Sequence, residues 1–131
     1  ASAILLICSV QPFQNIKMLY DKAIEEKLEP LIEVHTKEEL KFALKIGASL
    51  IGINNRDIVR LEKDEGTVSL TKMLIRHIPG NVTVISESSI KTPQEAKEAI
   101  DAGADAVLVG TALWQAQNAN DFYFSLAGRI D

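Results

Sequence analysis

A single cysteine, Cys8, stands in 131 residues. That excludes an internal disulfide and a cysteine-built metal cluster, and a reducing cytoplasm is the expected compartment. Cys8 itself reads as a small buried hydrophobe near a strand end rather than a nucleophile. Long apolar runs are missing as well. None approaches the ~20 residues of a membrane span, and the opening ASAILLICSV lacks the basic flank of a signal peptide and reads as a strand. No block of like charge occurs. A formal net charge of −4 argues against a nucleic-acid partner, which would show a basic patch or stripe. Histidine is limited to His35 and His77, and neither has metal-ligand spacing with a partner, so both read as structural or solvent-exposed. The few aromatics near the end, Trp114, Phe122, Tyr123 and Phe124, read as packing for the terminal helices rather than a stacking surface.

What remains is ordinary globular material, 47% hydrophobic and 24% charged, enough for one compact domain over residues 1–131. Short apolar runs alternate with amphipathic stretches. The runs are Ala3–Ile7, Pro30–Val34, Ser49–Ile53, Val82–Ile85 and Ala106–Val109. They have too little polar alternation for one-sided strands and suit parallel strands buried on both faces. From Phe13, apolar residues recur at Ile16, Leu19, Tyr20, Ala23, Ile24 and Leu28, a helical spacing. Thr36-Lys37-Glu38-Glu39 is a capping box opening a helix that stops at Gly47. Val68–His77 suits a third helix, ended by Pro79-Gly80. Thr92-Pro93-Gln94-Glu95 repeats the capping device, with proline at the first helical position, for a helix burying Ala96, Ala99 and Ile100. A last helix covers Asp121–Ala127.

Strand–helix alternation implies a parallel sheet with right-handed crossovers. The units also repeat. Gly47-Ala48-Ser49-Leu50-Ile51-Gly52-Ile53 aligns with Gly103-Ala104-Asp105-Ala106-Val107-Leu108-Val109, and Ala1–Ile7 fits the same template without its leading glycine. An open sheet usually has short or charged edge strands. Here the first strand is AILLI and the last AVLVG. Barrel closure, or a missing partner, accounts for that, and a (β/α)8 barrel takes about 250 residues. The expected fold is therefore an α/β chain of the TIM-barrel type covering roughly its second half.

In such folds chemistry gathers at the C-terminal ends of the strands. The second strand ends in Glu33-Val34-His35, the third in Asn54-Asn55-Arg56-Asp57, the fourth in Ser86-Glu87-Ser88-Ser89, and the fifth in Val109-Gly110-Thr111. Glu33 lies inside its apolar run, where a lone carboxylate is costly and its pKa rises. It is either ion-paired to a neighbouring strand or functional, and Glu87, in a comparable position two strands on, favours function. Two carboxylates at one mouth suit general acid–base work. The cluster from Asn54 to Asp57 suits equally a turn held by Asx bonds, with Arg56 paired to Asp57, and a substrate contact in which Arg56 holds a carboxylate. Ser88, Ser89, Gly110 and Thr111 would line a phosphate site if their strands are the seventh and eighth of a barrel.

Taken together, PLIEVHTKEEL, GASLIGINNRDI, VTVISESSIKTPQEA and GADAVLVGTALW resemble the indole-3-glycerol phosphate synthase family of tryptophan biosynthesis, in order from Ala1 to about Gln115. The resemblance implies strands four to eight of its barrel. It implies a lyase that closes a ring on a carboxyphenylamino-deoxyribulose phosphate with loss of carbon dioxide and water, without cofactor or metal. By position, Glu33 matches the general base of the dehydration, and Asn54 the asparagine on the substrate hydroxyls. Arg56 matches the arginine near the anthranilate carboxylate. Glu87 matches the glutamate that organises the site's charges, with Ser88 beside the substrate ring. Ser89, Gly110 and Thr111 match the phosphate cradle. Where the family usually has glycine, this chain has Ser89, which would be strained at positive φ. The family's general-acid lysine on strand three, and a further lysine and glutamate on strand one, have no counterpart here, and Lys91 falls beyond the Ser88-Ser89 turn. The partner expected is thus a small sugar-phosphate substrate, with no nucleic acid or membrane. The N-terminal half-barrel is missing or supplied elsewhere; an inactive, self-associating half-barrel is the alternative. Another sugar-phosphate barrel enzyme, such as a phosphoribosyl-anthranilate isomerase relative, is opposed by Glu33 and the Asn54–Asp57 cluster.

Overall fold

The computed structural model describes residues 1–56 and 68–128. Five parallel strands, β1 (Ala3–Ile7), β2 (Glu29–Val34), β3 (Leu50–Asn54), β4 (Thr83–Glu87) and β5 (Ala106–Leu108), lie side by side in chain order. Between and after them run α1 (Phe13–Glu25), α2 (Lys37–Lys45), α3 (Ser69–Leu74), α4 (Pro93–Asp101), α5 (Thr111–Gln115) and α6 (Ala119–Leu126). Sequential order is decisive for architecture. With right-handed crossovers and no reversal of strand order, the helices fall on one face of the sheet, as in a barrel wall. A doubly wound sheet needs a switch point, and the order has none.

The two faces follow from the period-2 geometry of strands. Leu6, Ile32, Val34, Ile51, Ile53, Val84 and Ser86 point toward the helices and are buried. Their neighbours Leu5 and Leu108, on the other face, are 47% and 54% exposed. Burial on both faces, expected from the apolar runs, is therefore absent at these positions. The runs are apolar because both sides of a barrel wall are packed in a closed barrel, and an arc of five strands covers only one.

The helices bury narrow stripes. In α1, Ile16, Tyr20 and Ala23 are inside, whereas Leu19 and Ile24 are exposed and the helix ends at Glu25, before Leu28. Ile100 of α4 is likewise exposed, against expectation, while Ala96 and Ala99 are buried. Phe13 stacks on Phe42 with ring centroids 4.3 Å apart, and the Tyr20 hydroxyl donates to the Gly47 carbonyl, so α1 and α2 are tied together. The expected third helix over Val68–His77 is split into α3 and a 3₁₀ turn at Ile75–His77. Trp114 is 89% exposed, contrary to its expected packing role, on the short α5, which buries none of its residues. Tyr123 and Phe124 are also exposed and meet each other edge-on.

Helix ends carry the repeat into three dimensions. The Leu28, Ala48 and Ala104 N–H groups each donate five residues back, to Ala23, Ala43 and Ala99. The residue before each, Lys27, Gly47 and Gly103, has φ of 60°, 84° and 114°. This is one helix-ending motif used three times, turning the chain into the next strand. At the helix starts, Thr92 and Glu95 form the full capping box. Thr36 accepts from Glu39 as expected, but the Glu39 carboxylate reaches past Thr36 to the His35 N–H at 2.6 Å.

Candidate active site

Glu33 sits one residue from the end of β2, opposite Gly52 of β3, and Asn54 at the end of β3 pairs with Glu87 at the end of β4. Side chains at Glu33, Gly52, Asn54 and Glu87 therefore share the face away from the helices. Asn54 Nδ2 donates to Glu33 Oε1 at 3.0 Å, and Asn54 Oδ1 accepts from the Arg56 N–H at 2.9 Å. The ion pair with a basic residue on a neighbouring strand, weighed for Glu33, is replaced by this amide bond; the basic-type side chain beside it among the described residues is His35, 3.4 Å away on its own strand's exit. The possible Arg56–Asp57 pair lies outside the described residues at Asp57.

Glu87 is buried, and its Oε1 has no hydrogen-bond partner among the described residues. Burial, with a smaller contribution from the Glu33 charge, pushes its carboxyl up to about 7. Glycine at position 52 makes this possible: a Cβ there would lie 2.1 Å from Glu87 Oε1. The glycine inside the strand thus marks where a carboxylate crosses the sheet. Ser88 and Ser89 follow with φ of 63° and 56°, so the chain leaves β4 through two consecutive left-handed residues. Ser89 takes the conformation in which a side chain is strained. A cleft of about 590 Å³ opens beyond them, lined by Arg56, Glu87, Ser88, Ser89, Gly110 and Thr111 among others. Glu33 and Asn54 are not among its lining residues; they adjoin it through Glu87. Lys91, set aside on sequence grounds, also lines the cleft. A larger cleft of about 720 Å³ lies at the opposite ends of β4 and β5, near Val84 and Asp105, with none of these groups.

Sequence reasoning missed a polar knot beneath the site. Asn55 Nδ2 donates to Ser86 Oγ at 2.9 Å and to the Glu87 carbonyl at 3.0 Å, and its Oδ1 accepts from the Thr71 N–H and hydroxyl. Thr71 and Ser86 hydroxyls are 2.7 Å apart and buried. The second asparagine of Asn54-Asn55 was the available signal. Of the two readings open for the histidines, the side chain of His35 takes the structural one, buried beside Glu33, and His77 the exposed one. Cys8 is buried, as expected, and burial with the Glu39 and Glu33 charges pushes its thiol up to about 12, which makes it a poor nucleophile. No group of metal-binding side chains occurs among the described residues, and no helix there is long and apolar enough to cross a membrane.

The family model described as indole-3-glycerol phosphate synthase matches residues 1–126. A relative of that name from Pyrococcus furiosus is 48% identical over 118 residues, covering 90% of this chain and 51% of its own. Another, from Thermococcus kodakarensis, is 43% identical, covering 93% of this chain and 53% of its own. The chain thus spans about half the length of the curated relatives it matches. Among solved structures, thiamine phosphate pyrophosphorylase from Pyrococcus furiosus superposes with a TM-score of 0.71 at 19% identity, over 98% of this chain and 59% of that one. At such identity the likeness is one of fold, and it agrees with the barrel-type arrangement of strands.

Proposed function

The chain belongs to the indole-3-glycerol phosphate synthase family, and from that premise we propose that it carries the acid–base half of a synthase active site. The reaction is ring closure of 1-(2-carboxyphenylamino)-1-deoxyribulose 5-phosphate with decarboxylation and dehydration, a carbon–carbon lyase step that needs no cofactor. The observation that carries this reading is the line of buried Glu33, Asn54 and buried Glu87 across three strand ends: Asn54 donates to Glu33 at 3.0 Å and pairs in register with Glu87, whose carboxyl is pushed up to about 7 by burial. A carboxyl that gains and loses its proton near neutrality is suited to acid–base work.

Glu33 removes a proton in the dehydration, with Asn54 orienting both it and the substrate hydroxyls. Glu87 sets the charge of the mouth, and Ser88 borders the substrate ring. Arg56 offers a planar fork to the anthranilate carboxylate. Ser89 and the Gly110-Thr111 turn, which line the same cleft, supply N–H and hydroxyl donors to the phosphate. Departure of water also requires a proton donor, which the family takes from a lysine on an earlier strand. Residues 1–131 alone are therefore proposed to be inactive, with the complementary strands of the barrel, or a second copy, as the structural partner. A cytoplasmic location follows from the reducing-compartment reading of Cys8.

In the full-length protein that carries this sequence, indole-product fluorescence with the ribulose-phosphate substrate tests the activity. Glu33→Gln should lower kcat by about 10²–10⁴-fold with little change in melting temperature. An unchanged rate removes Glu33 from the mechanism.

A further inference from the structure

His35 is a buried titratable group to which the reaction assigns no task. Its side chain is 6% exposed, and neither ring nitrogen has a hydrogen-bond partner among the described residues. Buried polar atoms are nearly always satisfied, and an exception at a site asks for a reason. The ring lies between two carboxylates. Nε2 is 3.4 Å from Glu33 Oε1, and Nδ1 is 3.7 Å from Glu39 Oε2.

Glu39 is fixed. Its Oε2 accepts from the His35 N–H at 2.6 Å, and its own N–H donates to Thr36 Oγ1 at 3.1 Å. The imidazole is thereby backed against the first turn of α2. Cys8, at the end of β1, closes the cluster and senses both the Glu39 and Glu33 charges. On the far side, Glu33 Oε1 already accepts from Asn54 Nδ2 at 3.0 Å. Among the described residues every such contact of Glu33 falls on Oε1 and none on Oε2. The sequence sets this up, since positions 33 and 35 are two apart along an extended segment and project to the same side.

We propose that His35 is a positioning residue for the Glu33 base: its Nε2–H donates to Glu33 Oε1 in the substrate-bound site, leaving Oε2 as the oxygen that meets the substrate. This rests on the acid–base role given to Glu33 above. Contacts in an empty site are commonly long and tighten in the complex, and closing from 3.4 Å to about 2.8 Å needs only a small ring movement. Two donors on one oxygen restrict the carboxylate to one orientation. Misplacement of a reacting group by about 1 Å can cost on the order of 100-fold in rate.

The test uses the full-length protein. Wild-type turnover comes first: its absence overturns the functional reading itself, independently of His35. With wild-type turnover in hand, His35→Gln can place an amide N–H near the Nε2 position, whereas His35→Asn reaches only as far as Nδ1. The expected result is a roughly 10- to 100-fold fall in kcat for His35→Asn, with KM little changed and kcat restored to within a few-fold by His35→Gln. A purely structural role would lower stability in both without that split. Equal loss in both variants, loss confined to KM, or no loss overturns the proposal. A second measurement is the ¹⁵N spectrum of labelled histidine in the wild type with substrate analogue bound, the His35 signals being those that disappear in His35→Gln. A proton on Nε2 of His35 is expected, and an unprotonated Nε2 overturns the proposal.

Discussion

Glu87 and Ser89 show how single residues here work against stability. The Glu87 carboxyl ionises at 4.5 in the unfolded chain and about 7 in the fold. Between those values the folded chain keeps a proton that the unfolded chain has lost. Stability should therefore fall as pH rises from about 4.5 to about 7. Glu87→Gln should flatten that slope and stabilise the protein at pH 8 by on the order of 1 kcal/mol once solvent screening at the cleft is allowed for, while reducing turnover. Urea unfolding across pH checks it, and an unchanged slope would mean that Glu87 is not the group responsible. Ser89 carries a φ of 56° that glycine adopts freely. Relief of left-handed strain exceeds the extra chain entropy of glycine, so Ser89→Gly should gain about 0.5–1 kcal/mol. The urea midpoint reports it; a fall would show that the serine hydroxyl holds the turn.

At the scale of elements, the joints between strand and helix set the site. Asn55 follows β3 directly, and its amide binds β4 through Ser86 and the Glu87 carbonyl while its carbonyl oxygen caps the start of α3 through Thr71. Removing it takes one partner from each of the buried Thr71 and Ser86 hydroxyls, leaving them only each other, and frees the Thr71 N–H and the Glu87 carbonyl. Asn55→Ala should cost about 2–3 kcal/mol and loosen Glu87, visible as a lower denaturation midpoint with an impaired kcat. A loss confined to stability would separate the knot from the site. The three matching helix endings also explain a sequence oddity. Gly47 and Gly103 announce themselves, whereas Lys27 performs the same left-handed turn at φ 60° without any compositional sign.

For the whole molecule, the sheet has helices on one face and exposed Leu5 and Leu108 on the other. Its outer strands β1 and β5 each pair on one side only among the described residues. Exposed edges and apolar faces promote association. The 131-residue polypeptide by itself is expected to sediment as a dimer or larger species at micromolar concentration. A monomer at all concentrations would show that the sheet face away from the helices tolerates water.

Residue patterns alone determined the strand–helix alternation, β1 to the residue, both capping threonines, and the placement of Glu33, Asn54 and Glu87 at strand ends. These are local matters of period, capping chemistry and turn residues, which neighbours along the chain decide. Tertiary structure decided the rest. Leu19, Ile24, Ile100 and Trp114 are apolar, and only the curvature and reach of the neighbouring elements leave them exposed. The burial of His35 between Glu33 and Glu39, and the knot of Asn55, Thr71 and Ser86, join residues from different elements. The knot's distances lie in no window of sequence, being fixed by strand register and helix packing across the sheet; Glu33, His35 and Glu39 are near neighbours in sequence, and it is the docking of α2 against β2 that buries the ring between the two carboxylates.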